Sequence, residues 1–109
     1  MHPLQAMASF AMSNLLFIGH DFESAMRMSE AALGAARRMS LMPLVFRCCL
    51  SYGDALFSVG RSREAAPIYF EARSVHESLL ARMTPAQKQI YRSNPEIQRG
   101  LEGIRARSV

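Results

Sequence analysis

The sequence predicts an all-α protein built from tandem antiparallel helical hairpins. Three observations carry that reading. Two stretches match at an offset of 40 residues: Ser13, Leu16, Phe17, Phe22, Ala25, Ser29 and Ala32 are answered by Gly53, Leu56, Phe57, Ser62, Ala65, Tyr69 and Ala72. A period of that size marks stacked helical units. Half of the residues are hydrophobic, methionine and alanine are plentiful, and tryptophan is absent. Methionine and alanine favour helix, and strand-type alternation is nowhere sustained. Finally, glycine, proline and capping residues break the chain at helix-length intervals.

The first helix is expected from Pro3 to about Ile18. Pro3 suits the first turn, where its missing N–H costs nothing. Gly19 is expected to end the helix as a left-handed cap. Asp21 then caps a second helix, with Glu23 in its first turn and Arg37 and Arg38 near its C-terminal dipole. That helix reaches Arg38 or Met39. A third helix is expected from about Pro43 to Val59, stopped by Gly60. Ser62 is expected to cap a fourth, running to about Met83 with a mild distortion at Pro67. Thr84-Pro85-Ala86-Gln87 has the form of a capping box with proline at the first helical position. Asn94-Pro95-Glu96 repeats the idea and starts a last helix to about Arg105. Residues 106–109 are expected to fray.

At 109 residues the chain is one domain. Its net charge of +4 sits at the C-terminal end. There Arg82, Lys88, Arg92, Arg99, Arg105 and Arg107 face only Glu96 and Glu102. A solvated face explains this better than nucleic-acid binding, because no recognition motif or base-stacking cluster accompanies the charge. Cys48 and Cys49 are neighbours and read as reduced, buried thiols, which points to a cytoplasmic protein. The uncharged stretch from Pro3 to Gly19 is too short and too interrupted by polar residues to span a bilayer.

The run Cys49-x-x-Tyr52-Gly53-x-x-Leu56, then Gly60, then Ala65-x-x-x-Tyr69-x-x-Ala72 resembles the tetratricopeptide repeat. In that family a small residue in each helix of a pair lets the two helices approach closely. Here Gly53 and Ala65 hold those positions, with Tyr52, Leu56 and Tyr69 as fillers. The earlier copy uses Ser9, Met12, Ser13, Leu16, Phe22, Ala25, Ser29 and Ala32. It departs from the family pattern at Ser29, where an aromatic is usual, and at Ser13, where glycine is usual. The 40-residue spacing also exceeds the usual unit of about 34. The resemblance implies a right-handed superhelix with repeat one over about 4–39 and repeat two over about 43–83. Short capping helices follow over about 85–106.

In repeats of this type the first helix of each pair lines the concave face. That makes Met7, Phe10, Asn14 and Phe17, with Arg47, Leu50, Ser51, Asp54 and Ser58, the candidate partner-binding residues. The cluster of lysine, arginine and asparagine that grips a C-terminal carboxylate in some relatives is not expected here. The first helix is apolar on nearly every side and carries no charge, so it should be covered on both sides. Further repeats or another subunit would do this, which makes Leu4, Met7, Phe10 and Ala11 candidates for self-association.

His2, His20 and His76 lack ligand spacing, and no serine sits in a nucleophile motif. No glycine-rich phosphate loop is present. The expectation is a non-enzymatic protein- or peptide-binding module, adaptor or scaffold, with no cofactor or metal, standing alone or ending a longer array. The alternatives are a homodimeric structural unit joined through the first helix and, less favoured, a nucleic-acid-associated protein using the basic end.

Overall fold

In the computed structural model, which describes residues 2–107, every regular element is a helix. The six helices are α1 (Pro3–Ile18), α2 (Phe22–Arg38), α3 (Met42–Ser58), α4 (Ser62–Ala81), α5 (Pro85–Arg92) and α6 (Pro95–Arg107). The expected helices are all present. The fourth stops two residues before Met83, and the last runs on to Arg107. Of the residues expected to fray, Ser108 and Val109 lie outside the described residues, while Ala106 and Arg107 are helical.

The starts are set by local chemistry. Asp21 accepts from the Ser24 N–H at 3.2 Å, as expected. The Thr84 capping box forms in full, with Gln87 reaching back to the Thr84 N–H at 2.9 Å. Asn94 accepts from the Glu96 N–H. A second capping box, from His2 and Gln5, opens α1. It escaped the sequence reading because histidine is an uncommon cap. Ser62 does not cap α4. It is the first helical residue, and Arg61 occupies the cap position without a side-chain bond. Pro67 stays inside α4 on its exposed face, so the carbonyl left without a partner lies on the solvent side.

The turns correct one expectation. Gly19 is not left-handed; its φ is −77°, and His20 takes the positive φ of 64° instead. Ser40 and Gly60 do the same at φ 53° and 85°. In each turn the N–H after this residue bonds back five positions, Asp21 to Leu16, Leu41 to Ala36 and Arg61 to Leu56, at 2.9 to 3.0 Å. The left-handed residue bonds back three, to Phe17, Arg37 and Phe57. All three turns are therefore the same double-bonded helix stop, which satisfies carbonyls that a helix end leaves free.

Each of the first three helices packs beside its successor, α1 also meets α3, and α6 meets both α4 and α5. Because α3 is flanked on both sides, it is the most buried element. Val45, Phe46, Cys48, Cys49, Ala55 and Leu56 are all closed off from solvent. Close approach is bought with small side chains: Ala25, Ala32, Ala65 and Ala72 are buried, and Gly53 lies under the Tyr69 ring. Ser13 and Ser29 occupy the equivalent positions of the first copy. Their buried hydroxyls bond to carbonyls of their own helices at 2.6 and 2.7 Å. Arg37 joins α2 to Glu71 of α4, and Tyr52 joins α3 to Glu30 of α2 at 2.6 Å. α5 closes over the far end through a stack of Phe46, His76 and Tyr91, with the His76 and Tyr91 rings 5.4 Å apart.

Cys48 and Cys49 are free and fully buried, in line with the sequence reading. Burial pushes their thiols up to about 11 and about 12.

Candidate binding groove

One groove runs between α1 and α3 and is closed on its far side by α6. Its first part is apolar, lined by Met7, Leu41, Pro43 and Leu44. Phe10 and Arg47 form the middle. The guanidinium of Arg47 lies 4.8 Å from the Phe10 ring centroid, a cation–π contact. The last part is polar, with Asn14, Ser51, Asp54, Glu96 and Arg99 around Leu50 and Gly100.

The nine residues singled out in the sequence divide cleanly. Met7, Phe10, Asn14, Arg47, Leu50, Ser51 and Asp54 line this one groove. Phe17 does not. It turns to the base of α2, where its ring meets Phe22 edge-on at 5.0 Å. Ser58 is exposed at the end of α3, away from the groove lining. Phe10 is buried beneath Arg47, so it supports the groove and offers no free face for self-association. Leu4, Met7 and Ala11 remain exposed.

The polar residues are tied to one another. Ser51 donates to Asn14 at 2.8 Å, which links α3 to α1. Arg47 donates to Glu96 at 2.8 Å. Asp54 accepts from the Tyr69 hydroxyl at 2.6 Å and pairs with Arg107, which also donates to the Tyr69 oxygen at 3.0 Å. Arg107 further lies 4.8 Å from the Phe57 ring centroid. Burial holds the Asp54 carboxyl above its ordinary value, against the opposing pull of Tyr69 and Arg107. The Tyr69 phenol is pushed up by burial and by its bond to Asp54.

These pairings show what the sequence reading missed. α6 lies along α3, with Glu96 on Arg47, Gly100 against Leu50 and Arg107 on Asp54. A Cβ at Gly100 would stand 2.5 Å from a Leu50 methyl, so the end of Leu50 occupies the space that the glycine leaves. Ile97, Gly100, Leu101 and Ile104 follow helical spacing, and both isoleucines are buried. That stripe was visible in the sequence, but only tertiary contact reveals which face it meets. Leu44 could have been found too, since it stands one turn before Arg47 on the same helix face.

A separate polar depression between α5 and α6 is lined by Lys88, Gln89, Arg92 and Gln98. Lys88, Arg92, Arg99 and Arg105 form no ion pair among the described residues. Among those residues no group of three or more His, Cys, Asp or Glu side chains could hold a metal ion. Among the described residues no helix is long and apolar enough to cross a membrane. His76 is buried, with its ring nitrogen 3.1 Å from the Tyr91 hydroxyl, and burial lowers its pKa. Its ring packs between Phe46 and Tyr91.

The site and fold define a helical protein with an open groove of graded polarity. No protein-family model matches the chain, and no curated protein or solved structure matches it.

Proposed function

We propose that the chain is a non-enzymatic, tetratricopeptide-like module that binds a protein or peptide segment in the groove between α1, α3 and α6. In this reading α1–α2 and α3–α4 are tandem antiparallel hairpins of a right-handed superhelix, and α5 and α6 form its C-terminal cap. The observation that carries the reading is the groove's gradient. Met7, Leu41 and Pro43 offer an apolar seat, while Asn14, Arg47 and Arg99 offer donors beside it. A segment with one apolar side chain and nearby acceptors fits that arrangement, since buried apolar anchors supply affinity and polar groups fix orientation.

Selection of displayed peptides on the immobilised chain tests it. Peptides so enriched should lose at least tenfold in affinity on Arg47→Glu and on Pro43→Asp, both at side chains that reach the groove surface. They should bind a Phe70→Ser variant unchanged, because Phe70 is exposed on α4 outside the groove. Equal binding to all three variants, or no enriched peptide, would exclude the groove as the site.

A further inference from the structure

The outer face of α1 is uncovered and carries no charge. Leu4, Met7, Ala11, Leu15 and Ile18 recur at steps of three and four. At the turn of an α-helix they fall within an arc of about 80°. All five are exposed, the four large ones by 50 to 74%. The buried face, Ala6, Phe10 and Ser13, lies on another side of the helix.

The stripe is its own mirror image. Ala11 stands at the centre. Met7 and Leu15 lie four positions to either side, and Leu4 and Ile18 lie seven. We propose that a second copy of this chain covers it, with two α1 helices crossing antiparallel about a two-fold axis at Ala11. Leu4 then meets the partner's Ile18, and Met7 meets the partner's Leu15. The two Ala11 residues face each other, and their small size lets the helices close at the crossing.

A contact between identical surfaces must be complementary to itself, and this arrangement of large and small residues is. The absence of charge from Pro3 to Ile18 means that a copy brings no like charge onto the seam. Arg47, which shares a groove lining with Met7, Ala11 and Leu15, is held over Phe10 and bonded to Glu96. The assembly does not rest on peptide binding, but the two surfaces share Met7, so pairing and a bound peptide meet at that side chain. Because Met7, Ala11 and Leu15 also rim the groove, pairing would set two grooves along one seam.

Light scattering of the full chain over a concentration series tests the pairing. The expected mass is twice 12.2 kDa at high concentration, falling on dilution. Ala11→Cys places two thiols on the axis, so oxidised glutathione should convert the dimer to a disulfide-linked pair, releasing reduced glutathione. Cys48 and Cys49 are buried and do not compete. Leu4→Glu alone and Ile18→Lys alone should each weaken the dimer at least tenfold, and the double variant should recover it. A parallel crossing allows no such recovery. A mass of 12.2 kDa at every concentration overturns the proposal, as does a dimer indifferent to Leu4→Glu or one that Ala11→Cys fails to link. Failure of peptide binding in Arg47→Glu would leave the mass unchanged, so the two ideas fail separately.

Discussion

At Gly53 and Gly100 the same atom is missing for different reasons. A Cβ at Gly53 would stand 2.7 Å from Tyr69 Cε1 and 3.0 Å from two more ring atoms. Tyr69 cannot retreat: its ring is buried, and its hydroxyl is held by Asp54 and Arg107. Overpacking costs about 1–3 kcal/mol, against about 1 kcal/mol gained from replacing a helical glycine. Gly53→Ala should therefore lower stability by about 1 kcal/mol. At Gly100 the obstacle is one methyl at the end of Leu50, with the next atoms 3.6 Å away. Leu50 is only half-buried, and that methyl can swing into the groove. Gly100→Ala should be neutral or raise stability by up to about 0.5 kcal/mol. Urea denaturation of both variants decides this. Equal losses would mean that Leu50 is pinned as firmly as Tyr69.

Among the elements, the turns carry the clearest prediction. His20, Ser40 and Gly60 do the same job, but only Gly60 does it without steric cost. Ser40→Gly removes a left-handed penalty of about 1 kcal/mol and adds a smaller unfolded-state entropy cost, for a net gain of about 0.5 kcal/mol. Gly60→Ala has open space around its Cβ yet should lose about 1 kcal/mol through backbone strain alone. Thermal melts that moved both variants in the same direction would refute the argument. The turns also mark the limit of sequence reading. Helix boundaries were legible because caps, prolines and the 40-residue echo act locally. The position of the left-handed residue was misread at Gly19, because glycine is favoured there in general while the double-bonded stop fixes the site one residue later. The docking of α6 was not legible, because Glu96 and Arg107 are 49 and 53 residues from the partners that hold them. The groove's α1 and α3 residues were readable from helical spacing, whereas Phe17 shares that spacing but is drawn away by Phe22.

For the molecule as a whole, His76 couples pH to stability. It sits where α3, α4 and α5 meet, between Phe46 and Tyr91. Burial depresses its folded pKa below the ordinary 6.5; Glu77 pulls upward and Arg92 downward. The unfolded chain therefore takes up a proton first as pH falls. Stability is full above about pH 6.5 and declines as pH drops through the ordinary value toward the folded one. Asp54 acts oppositely in the carboxylate range. Its folded pKa is raised, so protonation there favours the folded chain. Denaturant midpoints between pH 8 and pH 5.5 should fall for the native sequence and flatten in His76→Gln. A midpoint that rises with acid across that range would contradict the assignment.

The paired cysteines give the molecule a clock of its own. Both sulfurs are sealed in the most enclosed helix and hold their protons far above neutral pH, so almost none of either is in the reactive thiolate form. A thiol-reactive dye must wait for the helices around α3 to part. Its rate of uptake then times that breathing at the centre of the fold, with no residue changed.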